Sequence, residues 1–205
     1  MIARFTLLVF ALIGLIASSF IFEGAFATSL ALDTAAKARA SDSSVVRQRL
    51  LARAEHVITE SWAEPEHWHA GAAEALSGIY LMQTQENNEP ALFERSAALA
   101  SHAVRLAPVQ PHAWTRLALL AELGHTNSVC AIDACLGNAW TTARMIDPDT
   151  ACTRLRLTYG RGQLTGDDAR IDDYLRSGVY RRTAAECLVF LPGDQLFAAL
   201  ARNAN

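Results

Sequence analysis

Charged residues and β-branched residues are both scarce in this chain of 205 residues. Only 19% of the residues are charged, and the formal net charge is −3. Valine and isoleucine contribute 9 residues each, whereas alanine contributes 38 and leucine 26. Because Ala and Leu favour helices and β-branched residues favour strands, this composition argues against an all-β sandwich or a large parallel sheet. The lack of excess positive charge argues against a general nucleic-acid binder, which presents a basic face.

Sequence motifs of catalysis and cofactor binding are also missing. The chain has no HExxH, GxSxG, P-loop or GxGxxG pattern, so metalloprotease, esterase, NTPase and dinucleotide-binding functions lack support. It has no CxxC pair, which argues against a zinc ribbon or a thioredoxin-like motif. His67 and His69 are two positions apart, so on a helix their side chains point about 200° apart and cannot share an ion. We therefore expect a protein without enzymatic activity, metal or cofactor.

An uncharged apolar run occupies the amino terminus. The 18 residues from Phe5 to Phe22 carry no charge. As a helix that rises about 1.5 Å per residue they cover about 27 Å, close to the thickness of a bilayer core. Arg4 precedes the run and Glu23 follows it, and positive charge on the near side favours an N-inside orientation. The sequence therefore predicts that residues 1–22 form a single transmembrane signal anchor in a bacterial inner membrane.

A cleavable signal peptide is the alternative interpretation of this run. The triplet Ala25-Phe26-Ala27 fits the small-x-small pattern, which predicts a cut after Ala27. The anchor is favoured because the run exceeds the usual length of about 7–15 residues, and because Phe20 and Phe22 occupy the place of a polar region. Both interpretations put residues 28–205 on the trans, periplasmic side, and cleavage would release them into the periplasm.

The rest of the chain predicts an all-α fold. Residues 23–42 are rich in alanine and poor in charge, which predicts a juxtamembrane linker that is helical in part. Residues 43–205 are expected to form a helical domain of about nine helices with no confident strand. A first helix is expected at Ser44–Trp62, from apolar positions that follow a 3.6-residue period: Val46, Leu50, Ala54, Val57 and Ile58.

Prolines, glycines and capping residues predict the later helix boundaries. Proline is tolerated at the first helical position, so Pro65, Pro90 and Pro111 indicate helix starts. Gly124 and Gly178 indicate helix ends in the left-handed conformation. Further helices are expected from Asn127 or Ser128 to Ile146, from Asp149 or Thr150 to Tyr159, at Asp167–Ser177, and from Asp194 to Arg202.

Two short patterns recur along the chain. Pro65-Glu-His-Trp68 returns as Pro111-His-Ala-Trp114, and each copy is followed by small or apolar residues at three, four and seven positions beyond the Trp. Those offsets lie on one helical face, where small side chains let two helices approach closely. The second pattern returns 40 residues later, with Ala103, Leu106 and Pro108 matching Ala143, Ile146 and Pro148.

At these residues the sequence resembles the tetratricopeptide-repeat (TPR) family, whose pattern opens with Trp, Leu and a small residue and closes with Ala and Pro. Trp114, Leu117 and Ala118 match the opening, and Ala103 and Pro108 match the closing. The resemblance covers residues 65–150, with the best repeats at 65–110 and 111–150. The copies stand 46 and 40 residues apart, against about 34 in the family. The resemblance implies a helical-hairpin solenoid whose concave surface binds a partner protein or peptide.

The four tryptophans are divided between core and surface by this interpretation. In helix pairs of this kind Trp fills the space between the helices. We therefore expect Trp68, Trp114 and Trp140 in the interior. Trp62, next to Pro65, is the exposed candidate.

The four cysteines all lie in the second half of the chain, at Cys130, Cys135, Cys152 and Cys187. In an exported domain they permit two disulfides, with three possible pairings. A bond such as Cys135–Cys152 would staple neighbouring helix pairs, whereas Cys130–Cys135 requires Cys130 to lie at a helix start. The alternative is four free cysteines that pack as small apolar residues.

The sequence favours a membrane-tethered scaffold or adaptor that binds a protein or peptide partner in an envelope complex, for example in cell-envelope or polysaccharide assembly. One alternative is a small envelope enzyme of the hydrolase type with an unrecognised site. Another is a structural accessory subunit of a membrane complex. The partner groove is expected at polar positions on the first helix of each pair, namely His67, Glu74, His112, Arg116 and Glu122.

Overall fold

The first helix is far longer than the predicted anchor. The structure, a computed structural model, describes residues 2–61, 69–87, 89–125, 129–143, 147–176 and 186–203. Over these ranges it contains helices and no strand, which confirms the predicted all-α class. The helices are α1 (Ile2–Arg39), α2 (Ser44–Ser61), α3 (Ala70–Asn87), α4 (Pro90–Leu106), α5 (Pro111–Glu122), α6 (Ile132–Thr142), α7 (Pro148–Gly160), α8 (Ala169–Arg176) and α9 (Gly193–Arg202), with a 3-10 helix at Leu188–Phe190.

Helix α1 continues through the segment that the sequence presents as a linker. It contains 38 residues, about 57 Å at 1.5 Å per residue. Residues 23–39 of the predicted linker at 23–42 are helical. The segment resembles a linker because its buried positions are small residues rather than Leu or Ile, so no conventional apolar stripe is visible.

The two halves of α1 have different surroundings. Between Val9 and Phe22 the described side chains are exposed, and they include Phe10 and Leu15. By length and composition alone α1 is a candidate to span a membrane. Beyond Glu23 one face of the same helix is buried, at Gly24, Ala27, Thr28, Ala31, Thr34, Ala35 and Ala38.

The chain divides into two compact units, Met1–His102 and Ala103–Asn205, and the boundary lies inside α4. In the first unit α1, α2 and α3 pack against one another. The small residues of α1 recur every three or four positions and form one face, which allows α2 to approach closely. Ser77 of α3 and Ser96 of α4, both fully buried, hold their helices together: each hydroxyl donates to the other residue's carbonyl, at 2.7 and 2.8 Å.

The buried face of α2 shares Ala54 and Ile58 with the predicted stripe and differs from it in the first part of the helix. Leu51, Ala54 and Ile58 are buried, whereas Val46 is exposed. The helix lies between α1 and α3, and Arg47 reaches across to Glu86 of α3, with Nε 2.6 Å from Oε1. The face that contacts both neighbours therefore starts at Arg47. The predicted start of this helix at Ser44 is confirmed, and the helix extends to Ser61, the last described residue before the predicted end at Trp62.

The second unit has an apolar core built from its last helices. Side chains from α7, α8, α9 and the 3-10 helix form one cluster, which includes Leu155, Ile171, Tyr174 and Leu188. Tyr159 and Phe190 pack against this cluster and against each other, with ring centroids 5.0 Å apart. This cluster thus lies at the carboxyl-terminal end of the chain, while α5 and α6 contribute further buried residues such as Leu117 and Leu136.

Several predicted helix boundaries are confirmed and others shift. Pro90 and Pro111 begin α4 and α5, and Gly124 follows α5 with φ of 86°, as expected of a left-handed helix end. Asp147, rather than Asp149 or Thr150, caps α7, because its Oδ1 accepts from the Thr150 N–H at 2.9 Å. The remaining boundary residues Pro65, Asn127, Ser128, Ile146, Ser177 and Gly178 lie outside the described residues.

The two later capped helices begin at slightly different places from those predicted. Helix α8 starts at Ala169, two positions after Asp167, and α9 starts at Gly193, with Pro192 at the cap position instead of Asp194. Asp167 accepts from the Thr165 hydroxyl and so belongs to the turn that precedes α8. Within the described residues these shifts leave the order of the predicted helices unchanged.

The two copies of the Ala–Pro pattern differ in backbone conformation at their alanines. Ala103 is fully buried in α4, which ends at Leu106 just before Pro108. Ala143, its counterpart, lies beyond the end of α6 in an extended conformation with φ of −159°. The second copy of the Ala–Pro pattern is therefore not helical at its alanine, and the single predicted domain at 43–205 is divided between two units.

Candidate functional site

The five predicted groove residues are distributed over the two units. Glu74 lies half-buried on α3 in the first unit. His112 and Arg116, half-buried, and Glu122, exposed, lie on α5 in the second unit. His67 lies outside the described residues.

Within α5 only two of these side chains share a face. His112 and Arg116 are four positions apart, which places them one above the other on the helix. Glu122 follows Arg116 by six positions, a rotation of about 240° that turns it to another side. It lies near enough to Arg161 for its charge to help raise the pKa of that guanidinium, after the larger effects of the hydrogen bond and charge of Asp133.

His112 joins the starts of two helices. Its Nδ1 lies 3.0 Å from the Thr150 hydroxyl and 3.3 Å from Oδ2 of Asp147. The other oxygen of Asp147 caps α7 through the Thr150 N–H. His112, Asp147 and Thr150, hereafter the His112 cluster, therefore link the first turn of α5 to the first turn of α7.

The geometry of the His112 cluster favours positioning over catalysis. A nucleophilic hydroxyl activated by histidine needs the hydroxyl on one ring nitrogen and the orienting carboxylate on the other. Here Thr150 and Asp147 both contact Nδ1, so a proton cannot pass from the hydroxyl through the ring toward the carboxylate. The cluster fits a structural link between α5 and α7.

A fully buried arginine lies beneath this cluster. Arg154 of α7 donates from Nε to the Thr115 hydroxyl at 2.6 Å and from Nη2 to the Pro111 carbonyl at 3.1 Å, and its Nη1 donates to the Ala143 carbonyl. Burial lowers the pKa of Arg154 to about 10, while the charge of Asp147 opposes that shift. The side chain stays charged at neutral pH, and its planar fork ties α5, α7 and the chain after α6 together.

The two described tryptophans are half-buried rather than fully interior. Trp140 lies against two cations, with the guanidinium carbons of Arg154 and Arg170 at 5.6 and 5.5 Å from its ring centroid. Trp114 donates from Nε1 to the Pro108 carbonyl at 2.7 Å, which holds the turn between α4 and α5. Their polar edges therefore remain in use, and Trp140 packs against the apolar core of the second unit. Trp62 and Trp68 lie outside the described residues.

All four cysteines form disulfides. Cys130 pairs with Cys135 and Cys152 pairs with Cys187, each with Cα atoms 5.6 Å apart. The pairing Cys135–Cys152 is thus not the one present. Cys130 lies just before α6, where a bond to a residue five positions later is geometrically accessible. Metal ligation has no support in the described part of the chain, where no group of three His, Cys, Asp or Glu residues could hold an ion.

Sequence reasoning missed the centre of this arrangement. Asp147 precedes Pro148, and the Asp-Pro pair is a recognisable signal for a capped helix start. Arg154 gives no such signal, because an arginine within a helix is usually exposed. Its burial depends on acceptors from Pro111, Thr115 and Ala143, which only the packed helices bring together.

No family model, curated protein or solved structure matches this chain. The TPR resemblance therefore stays a prediction.

Proposed function

We propose that this protein is a membrane-tethered helical-repeat scaffold that binds a protein or peptide partner on the periplasmic side of the inner membrane, within a cell-envelope complex. The observation that carries the proposal is the division of α1 at Glu23 into an exposed apolar half and a half packed into the first unit. A soluble protein would leave a large apolar surface in water at about 25 cal/mol per Å². A bilayer around residues 5–22 removes that cost.

Retention of the anchor is favoured over cleavage by the packing of α1. A cut after Ala27 would remove Gly24 and Ala27, two buried members of the face that contacts α2. It would also divide a continuous helix in the middle. An uncleaved α1 joins the bilayer to the first unit through one continuous helix.

The partner-binding residues that we propose are Arg116 and Glu122 on α5 of the second unit, with Glu74 on α3 of the first unit as a separate position. Glu122 is exposed, and Arg116 and Glu74 are half-buried on their helices. His112 contacts Asp147 and Thr150, so it supports α5 and does not need to touch the partner. Arg116 and Glu122 present opposite charges on neighbouring sides of α5, which fits a partner with mixed charge.

The topology is tested by the intact mass of the protein extracted from membranes without reductant. We expect the full chain of 22.3 kDa less four hydrogens, retained in the membrane after carbonate washing. Protease added to spheroplasts should degrade residues 28–205. A carbonate-soluble chain that begins at Thr28 would overturn the tether.

The scaffold role is tested by photo-crosslinking from defined positions in the full-length protein in cells. A photoreactive residue at Arg116 or Glu122 should give an adduct of one discrete mass. The same residue at Arg105, exposed on α4, is the matched control and should give none. Equal labelling from all three positions, or none from any, would reject the groove.

An accessory role carried by the anchor itself predicts a different result. Replacing residues 1–22 with an unrelated anchor preserves the two units and their surfaces. A scaffold retains the crosslinks from Arg116 and Glu122 after the exchange. Loss of those crosslinks with normal membrane insertion would assign partner recognition to the transmembrane segment.

A further inference from the structure

The two disulfides of the second unit hold together very different lengths of chain. Cys152–Cys187 joins α7 to the segment before the 3-10 helix across 35 positions, and both cysteines pack in or against the apolar core. Cys130–Cys135 spans five positions and joins only the turn before α6 to the first turns of the same helix. Because a short loop restricts the unfolded chain less than a long one, Cys130–Cys135 contributes less to folding.

The backbone around Cys130 and Cys135 does not depend on the bond between them. The Cys135 N–H donates to the Ala131 carbonyl at 2.9 Å, as part of the start of α6. The Cys135 Sγ lies 3.7 Å from the Cys130 carbonyl oxygen, within the distance at which a thiol donates a hydrogen bond to that oxygen. We expect the dithiol to keep the same turn, because its backbone hydrogen bond does not involve the sulfur atoms.

The two cysteine residues differ in burial and in their position relative to α6. Cys130 is half-buried, whereas Cys135 is fully buried. Cys130 directly precedes Ala131, the cap residue of α6, and the positive end of a helix dipole stabilises a thiolate at that place. Asp133 in the first turn lies 3.1 Å from Arg161, whose positive charge opposes that of the carboxylate. An incoming thiolate therefore meets Cys130 first, and Cys135 is the leaving group.

We propose that Cys130–Cys135 is a reversible thiol–disulfide exchange site that oxidises dithiols of other proteins. A thiolate of the partner attacks the Cys130 sulfur, forms a mixed disulfide and releases Cys135 as a thiolate, which takes up a proton and donates to the Cys130 carbonyl. The partner's second thiolate then attacks its own sulfur in the mixed disulfide and releases Cys130. Two electrons and two protons pass from the partner dithiol to this chain, which becomes the dithiol.

The first test measures which pair opens under mild reduction. The full-length protein in detergent is equilibrated in glutathione buffers of increasing reduced fraction, and the free thiols are trapped with maleimide and located by peptide mass spectrometry. We expect Cys130 and Cys135 to be labelled while Cys152 and Cys187 stay oxidised, with unchanged helical circular dichroism. Simultaneous opening of both pairs, or earlier opening of Cys152–Cys187, overturns the proposal.

The second test compares the reactivity of the Cys130 thiol with that of the Cys135 thiol. In the Cys135→Ser variant Cys130 is the free thiol, and in the Cys130→Ser variant it is Cys135. We expect the Cys130 thiol to form a mixed disulfide with oxidised glutathione at least about tenfold faster, because thiolate character and exposure control the rate. Equal rates or the reverse order contradict the assignment.

The third test asks for exchange with a dithiol rather than reduction alone. The oxidised full-length protein is mixed with a reduced synthetic peptide that carries two cysteines, and peptide oxidation is followed by mass spectrometry. The double variant Cys130→Ser with Cys135→Ser, which retains Cys152–Cys187, is the matched control. Peptide oxidation by the wild-type chain but not by the control supports the proposal, whereas equal oxidation by both refutes it. This outcome does not depend on the partner groove, so it can fail or succeed independently of the scaffold role.

Discussion

Arg154 holds three separate parts of the second unit through one side chain. It donates to Pro111 and Thr115 of α5 and to Ala143 after α6, and it is fully buried. Lysine keeps the charge but lacks the planar fork, so Arg154→Lys should leave at least one buried acceptor unpaired. We expect the free energy of unfolding to fall by about 2–4 kcal/mol, measured by urea denaturation of the full chain in detergent.

A matched substitution separates this effect from the general cost of replacing arginine. Arg105 is exposed on α4. Its change to lysine should alter stability by no more than about 0.5 kcal/mol. Similar losses from both substitutions would contradict the role assigned to Arg154.

Asp168 ties the turn before α8 to Arg170 by two hydrogen bonds, at 2.9 and 2.7 Å. The guanidinium holds the pKa of Asp168 below its ordinary value, against the opposing effect of burial. The stability from this carboxylate is therefore complete above the unfolded pKa of about 3.9 and is lost as pH falls through the lower folded pKa. Asp168→Asn should cost about 0.5–1 kcal/mol near pH 7 and flatten the loss of stability in acid.

The acid dependence is followed by chemical denaturation between neutral pH and pH 3. The control is Asp42→Asn, in the exposed turn between α1 and α2. It also removes a carboxylate but leaves the Asp168–Arg170 ion pair intact. We expect that control to keep the wild-type slope. A wild-type slope in Asp168→Asn as well would show that this contact does not contribute to acid unfolding.

At the scale of elements, Gly166 marks where α9 lies directly against the turn before α8. A Cβ added at Gly166 would stand 2.5 Å from the Gln195 Cβ, and that atom cannot rotate away because it is fixed to the backbone of α9. The Gly166 N–H also donates to the Gln195 side chain at 3.1 Å. Gly166→Ala should therefore displace α9 and lower stability by about 1–3 kcal/mol. Gly160→Ala meets open space, so it is the control and should leave the melting temperature unchanged or higher.

The small residues of α1 give a second test at this scale. Ala31 is fully buried against the neighbouring helices, whereas Ala36 is exposed on the same helix. Ala31→Leu inserts three carbon atoms into that contact and should destabilise the first unit by about 1–3 kcal/mol. Ala36→Leu should be nearly neutral, as judged by hydrogen exchange of α2 in the full chain. Equal protection of α2 in both variants would show that close approach of α1 is not required.

The sequence predicted the boundaries of the helices better than the faces on which they pack. Proline and glycine have fixed backbone consequences, so the starts at Pro90 and Pro111 and the end at Gly124 could be placed in advance. The packed face of α1 could not be recognised, because alanines such as Ala31 and Ala35 fit a buried surface and an exposed helix equally well. Only part of the His112 cluster could be predicted. His112 was singled out as a polar position, but its contact with Asp147 depends on how α5 and α7 pack.

At the scale of the whole molecule, the division into two units explains why the repeat patterns gave an incomplete account. The expected repeats at 65–110 and 111–150 treat α4 as the second helix of one pair, yet the boundary between the units falls within that helix, between His102 and Ala103. One apolar cluster of the second unit lies in α7 to α9, beyond the best predicted repeats. Local patterns identify helices, whereas unit boundaries depend on contacts between residues far apart in sequence.

Both disulfides belong to the second unit, so reduction should weaken only that part of the molecule. In the chain-entropy account, removal of Cys152–Cys187 costs about 4 kcal/mol and removal of Cys130–Cys135 about 2 kcal/mol, because the closed loops differ in length. Hydrogen exchange of the full chain in detergent should show faster exchange in α7 and α8 for the Cys152→Ser, Cys187→Ser double variant. Exchange in α2 and α3 should stay unchanged, because their protection derives from the first unit. Equally faster hydrogen exchange in both units would mean that they unfold as one cooperative body. The division at α4 would then not separate two units of independent stability.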